Sequence, residues 1–248
     1  MKDYLLDIVK HTAGFNALTL IKVTGTETST VVDSWDRADK TVVLHAEFKA
    51  PVAEFVGKFG MPNIDRLNSI LSNPEYAEDA KFTVETQKNA TTGLDELSAI
   101  HFENKDGDFK NSYRFMAGNI ADSQMPTLSM KKQISTWTTE IRPSVTSIQR
   151  LRLQTQIHNA STVFSTRVVD GDLVVYFGDP SSHTGNFIFH KDTGWTLKNE
   201  TYWPTATINS VLSMPGEKTM KLSDENTAMI TVDSGLAVYS YRIMAQTK

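Results

Sequence analysis

Asn68-Ser69-Ile70-Leu71-Ser72 and Asn209-Ser210-Val211-Leu212-Ser213 are one five-residue word with a single aliphatic exchange. Each follows a proline preceded by a large apolar side chain, Met61-Pro62 and Trp203-Pro204. About one such match arises by chance in a chain of 248 residues of ordinary composition, so its weight comes from position. Around both words the hydrophobic pattern runs in the same order: long helix, three strands, short helix, three strands. In each half the first helix starts roughly 60 residues before the proline. One folding unit used twice is expected.

In the first half, Leu5, Ile8, Val9 and Thr12 share one helical face, with Asp3, Asp7 and Lys10 opposite, and Gly14 ends the helix. Strand patterns rich in Val, Thr and Ile follow at 17–23, 28–34 and 41–49, with a short one at 55–59. Pro62 suits the first turn of a helix that buries Ile64, Leu67, Ile70 and Leu71 and stops before Asn73-Pro74. Strands are expected at 81–87, 98–104 and 108–116, the last two joined by an Asp106-Gly107 turn. Residues 117–133 have no clean periodicity and read as a connector between domains at 1–116 and 134–248. The second half opens with a strand near 134–141 and a helix from Pro143 to about His158. Strands at 161–168, 172–178 and 184–190, a short helix from Pro204 to Met214, and strands at 217–222, 227–233 and 236–244 complete it.

With 40% hydrophobic and 22% charged residues the chain can bury a real core. The absence of cysteine excludes disulfides, thiolate metal sites and cysteine nucleophiles. Two acids among the first seven residues do not fit a signal peptide, no stretch approaches the ~20 apolar residues of a membrane span, and a cytoplasmic location is expected. The net charge of −4 is uneven: residues 1–124 hold 13 Lys and Arg against 19 Asp and Glu (−6), and residues 125–248 hold 12 against 10 (+2). Any nucleic-acid contact must therefore use a local basic surface on an acidic body.

No nucleophile elbow, phosphate loop, zinc-binding pair or dinucleotide fingerprint is present. The six histidines are scattered, and ordinary strand or surface histidines explain them better than metal ligation. Asn104-Lys105-Asp106-Gly107-Asp108 resembles a calcium loop faintly, lacks its distal Glu, and is explained by hairpin chemistry. No enzyme, cofactor or metal is expected.

The long helix of the second half carries the most informative surface. Arg142, Arg150, Arg152 and His158 are interleaved with Gln149, Gln154 and Gln156, with no acid from Arg142 to His158. Val145, Ile148 and Leu151 read as its apolar side, Arg150 and Gln154 as pointing away, and Arg152 as close enough to that side to serve packing or an inter-subunit contact. Lys2, Lys10 and Arg66 are the corresponding basic positions of the first half. Such a face suits ordinary solvation, and it also suits phosphate contacts that read no base sequence.

The duplicated order, the helix beginning at Lys2, and the run Ile208-Asn209-Ser210-Val211-Leu212-Ser213-Met214-Pro215-Gly216-Glu217, followed by Met220-Lys221-Leu222 and a hairpin through Val238-Tyr239, resemble the DNA polymerase sliding clamps, most closely those of myovirus-type bacteriophages. The resemblance implies an α+β clamp fold of two similar domains and a homotrimeric ring around duplex DNA, acting in the cytoplasm of an infected host. Its lining would include Lys2, Lys10, Arg66, Arg142, Arg150, Arg152 and His158, with Asp3 and Asp7 of the first helix facing the same way. It also implies that the strand at 108–116 meets the strand at 184–190 of the next subunit. A pocket near Met125, Pro126, Leu128, Pro215, Ile243 and Met244 would take a polymerase C-terminal peptide, and a clamp-loader ATPase is a further implied partner. The competing class is a β-rich viral structural or assembly protein without DNA binding.

Overall fold

The computed structural model describes all residues except 16, 40, 90–92, 94, 127–135, 180, 182, 196 and 247–248. The chain divides into two compact units, Met1–Ser129 with Ser234–Tyr239, and Met130–Asp233 with Ser240–Lys248.

In the first unit, helix α1 (Lys2–Thr12) precedes strands β1 (Leu20–Gly25), β2 (Thr30–Trp35), β3 (Val42–Phe48) and β4 (Gly57–Pro62). Helix α2 (Ile64–Leu71) follows, then β5 (Lys81–Lys88), β6 (Asp95–Glu103), β7 (Lys110–Arg114) and the short β8 (Met116–Ala117). Helix α3 (Gly118–Gln124) occupies part of the stretch read from sequence as an irregular connector. Strand order is β8-β4-β1-β2-β3 in one sheet and β5-β6-β7 in another, all antiparallel. Period-two chemistry sets the faces: Val42, Leu44, Ala46 and Phe48 of β3 are buried, whereas His45 and Glu47 are exposed. Leu5, Ile8 and Val9 of α1 are buried, as the sequence pattern requires.

Helix α3 is pinned by charge. Asp122 accepts from Lys22 Nζ at 3.3 Å and from Lys58 Nζ at 2.9 Å, and Lys22 Nζ also donates to the Met125 carbonyl at 3.1 Å. Lys22 is only 5% exposed, so it depends on these acceptors.

In the second unit, β9 (Thr139–Ile141) and α4 (Val145–Ile157) precede β10 (Val163–Val169), β11 (Asp172–Gly178), β12 (Thr184–His190) and β13 (Thr201–Pro204). Then come α5 (Thr205–Ser213), β14 (Glu217–Ser223), β15 (Thr227–Asp233) and β16 (Ala237–Met244), whose first residues belong with the first unit. One sheet has the order β12-β11-β10-β13, and β15-β14-β9 run side by side. Strand β13 was not expected from sequence. It pairs with β10 through Phe164↔Trp203 and Ser165↔Tyr202, and the buried Trp203 indole donates to Thr166 Oγ1 at 2.8 Å.

That strand deepens the duplication. Strands β1 to β4 lie in the order 4-1-2-3, and β10 to β13 repeat it, the fourth strand returning beside the first as in a Greek key. The fourth strand leads in each unit to a short helix, α2 or α5, which carries the repeated word. Ile70, Leu71, Val211 and Leu212 are buried in equivalent places.

Candidate nucleic-acid interface

Each unit presents a pair of packed helices, α1 with α2 and α4 with α5. Ser144 caps α4, its Oγ accepting from Ser147 N at 3.0 Å, and Asn209 of α5 donates to Thr155 Oγ1 of α4 at 2.6 Å. The buried side of α4 differs from the sequence reading. Leu151 and Ser147 are buried and Gln154 and His158 half-buried, whereas Val145, Leu153 and Ile157 are 73, 58 and 70% exposed. The reason is the floor beneath the helix. Gly185 of β12 has no side chain, so Gln154 and His158 can lie close over it: a Cβ built there would meet Gln154 Oε1 at 2.6 Å and His158 Nε2 at 2.7 Å. Polar groups thus take the inward positions and three aliphatic side chains are left outward.

Arg142, Arg150 and Arg152 are exposed. Arg152 Nε donates to Ser213 Oγ at 3.0 Å, which fixes the guanidinium at the end of α5. Lys218 of β14 joins this cluster: burial and the nearby Arg152 charge push its ammonium pKa down, and its Nζ donates to the Gly216 carbonyl at 2.8 Å. Sequence reading missed Lys218 because it lies on a strand outside the helix pattern. Among the described residues no ion pair neutralises Arg150, Arg152 or Lys218. Three cations without an acid suit a polyanion's backbone and offer nothing that reads bases.

His158 leaves this set. Its ring stacks on Phe177 at 5.7 Å and 18°. In the first unit Lys10 and Arg66 are exposed, but Lys2 donates to the Tyr76 carbonyl at 2.9 Å and lies 5.2 Å over the Phe82 ring. Asp7 does not face outward as expected. It is buried, accepting from Ser234 Oγ at 2.9 Å and Tyr239 Oη at 2.8 Å. Asp3 remains exposed.

The residues expected to form a peptide pocket are partly core. Met125 is fully buried against Leu20 and Trp35, and Ile243 is also fully buried, so neither presents a side chain to a partner. Pro126 and Pro215 are exposed, Met244 is 41% exposed, and Leu128 lies outside the described residues. Among the described residues no cluster of three or more His, Asp or Glu could hold a metal ion, and no helix is long and apolar enough to cross a membrane.

No protein-family model and no curated protein matches the chain. Solved structures do. PCNA of A. fulgidus, bound to the C-terminal region of FEN-1, matches with a TM-score of 0.66 at 9% identity, over 100% of this chain and 96% of that one. PCNA of Thermococcus kodakaraensis matches with a TM-score of 0.64 at 10% identity, over 99% of this chain and 97% of that one. The fold is that of a sliding clamp. In this chain the two 4-1-2-3 sheets and their helix pairs are the repeated element, and the word at 68–72 and 209–213 marks the second helix of each pair.

Proposed function

We propose that the chain is a non-enzymatic sliding clamp that encircles duplex DNA as a homotrimeric ring and tethers a replicative polymerase. The observation that carries this reading is the duplicated unit, matched over its whole length by two PCNA clamps. Two clamp-type domains, 1–116 and 134–248, joined through 117–133, would give a trimer six similar units, with the α1/α2 and α4/α5 pairs lining the hole. Arg142, Arg150, Arg152, Lys10 and Arg66 are the lining cations, and Lys218 joins them. Weak, mobile phosphate contacts suffice because a closed ring is held by topology.

Val145, Leu153 and Ile157 lie on the same outward face of α4 as its arginines and would border the hole with them. Strands β7 and β12 each end a sheet, leaving edges that a neighbouring subunit can pair. A polymerase C-terminal peptide would dock near Pro126, Pro215 and Met244, with a clamp-loader ATPase using the same surface. The A. fulgidus neighbour, which holds the C-terminal region of FEN-1, supports a peptide partner. The run Ile208–Glu217 favours a phage-type clamp acting in the infected host's cytoplasm.

Replacing Arg152 and Lys218 together with Glu tests the lining. Binding to duplex DNA should fall at least tenfold, and the slope of log affinity against log salt should drop by about 2, one contact for each lost cation. Unchanged affinity and slope in a chain that still assembles would remove this cluster from the DNA surface.

A further inference from the structure

Three strands follow the short helix in each half, β5, β6 and β7 after α2 and β14, β15 and β16 after α5, and the two copies differ at one edge. In the second unit β9 lies along β14, setting Ile141 opposite Met220, Glu140 opposite Lys221 and Thr139 opposite Leu222. That edge is sealed: Thr139, Ile141, Met220 and Leu222 are all 5% exposed or less, and Glu140 pairs with Lys221 at 3.0 Å. In the first unit the equivalent sheet ends at β5, and no described strand pairs with its outer side. Phe82 and Val84 stand where Met220 and Leu222 stand, each opposite a buried residue of the next strand, Phe102 and Ile100. Without a covering strand, Phe82 is only half-buried and Val84 is 36% exposed.

Little on β5 closes this edge to another chain. It contains no proline, and Glu85 is turned toward His101 of β6, to which it is hydrogen-bonded at 3.0 Å. A bulge between Glu85 and Thr86 ends the regular ladder, so Lys81–Glu85 is the usable length, longer than the three residues of β9. The charge at its start is positive. Lys81 lies across from Glu103, which is paired with Lys110 at 3.0 Å, and Lys2 Nζ sits 5.2 Å over the Phe82 ring. Among the described residues neither Lys2 nor Lys81 has an ion-pair partner.

We propose that the outer edge of Lys81–Glu85 docks an extended segment of a partner protein, added antiparallel to β5 as one more strand. From the residue opposite Val84 to the residue opposite Lys81, that segment reads apolar, polar, apolar, acidic. The duplicate supplies the first three positions, where β9 buries Thr139 and Ile141 and exposes Glu140 between them. Lys81 and Lys2 call for the acid. Backbone bonds to the open edge give such a complex its affinity, and the Phe82–Val84 strip gives it selectivity. Two β5 edges fit each other poorly, because the full antiparallel register sets Lys81 against Lys88 at both ends. The site uses the first unit alone and does not rest on the ring reading.

The probe is a fluorescein-labelled peptide with the chain's own residues 136–141 followed by an aspartate. Its anisotropy should report saturable binding to the full chain, and the amides of β5 should become protected from hydrogen exchange. Methylating the peptide nitrogens that face β5 should weaken binding roughly tenfold or more, whereas methylating those on the far side should leave it within about threefold. Val84→Asp should weaken the unmodified peptide as strongly while leaving the unfolding midpoint near that of the parent. Lys81→Glu should weaken it too, and ending the peptide in lysine should bring that variant back to within about threefold of the original. No binding at millimolar peptide, equal losses from both methylation patterns, or protection confined to strands other than β5 would overturn the proposal. Protection of β5 that rises with protein concentration in the absence of peptide would give the edge to a second copy and overturn it as well.

Discussion

Asp7 shows what a helical wheel cannot convey. On α1 it falls on the polar side, and a sequence reading places it in solvent; the side is covered by Ser234 and Tyr239, from more than 220 residues away, and the carboxylate becomes a buried acceptor for both hydroxyls. Asp7→Ala should therefore cost about 1–3 kcal/mol in denaturant unfolding, because the buried Tyr239 hydroxyl loses its bond to Asp7 and Ser234, which also donates to the Ala237 carbonyl, loses one of two; a change within ~0.5 kcal/mol would contradict the network. Asp122 gives a pH test. Burial raises its pKa, but hydrogen bonds from Lys58 and Lys22 and their charges outweigh that and hold the carboxyl below its ordinary value. A lowered folded pKa contributes stability above the unfolded value near ~3.9 that is lost as pH falls through the folded one. Asp122→Asn should therefore be destabilising at pH 7, and the difference from the parent should shrink toward pH 3; a pH-independent difference would assign the effect to packing. His45 runs the other way. Its hydrogen bond to Asp33 at 2.8 Å raises its pKa against the opposing effect of burial, so its contribution is full below ~6.5 and fades as pH rises through the folded value. For so exposed a pair the effect should stay under about 1 kcal/mol, read as a His45→Gln difference that is larger at pH 5 than at pH 9.

Among elements, those with strong periodicity were legible and those decided by their surroundings were not. The apolar stripe of α1 and the alternation of β3 give their faces directly. Strand β13 is a four-residue Thr-Tyr-Trp-Pro whose proline drew attention as a helix start, and only pairing with β10 makes it a strand. Helix α3 contains one core residue besides its leading glycine, Ala121, and depends on Asp122 for anchorage, so it leaves little hydrophobic signal. On α4 the aliphatic residues are split between both sides, and the missing side chain at Gly185 selects which side turns inward. The outward set has a measurable consequence. Leu153→Glu should leave the unfolding midpoint nearly unchanged, within about 0.5 kcal/mol as for a surface site. Strong destabilisation of the dilute chain would place Leu153 in the core instead. The exposure of the α4 arginines was legible because no acid interrupts them; His158 and Met125 were read as accessible, and contacts distant in sequence, Phe177 for one and Leu20 with Trp35 for the other, turn them inward.

At the scale of the molecule, an acidic chain with one basic helix surface makes sense if binding strength is not what retains DNA. In the proposed ring, a body carrying −4 overall would repel the polyanion outside the lining, and closure would turn weak phosphate contacts into lasting association without stopping movement. In that proposed ring the duplication would serve the same end, since repeated units with similar helix pairs give a lining without a preferred rotational position. The proposed function makes retention depend on topology, and the decisive measurement compares one DNA molecule in two forms. Loaded onto a nicked circle and separated by gel filtration in moderate salt, the protein should stay with the DNA. After a single restriction cut it should leave within minutes. Equal retention on circle and line, or equal loss from both, would contradict an encircling clamp.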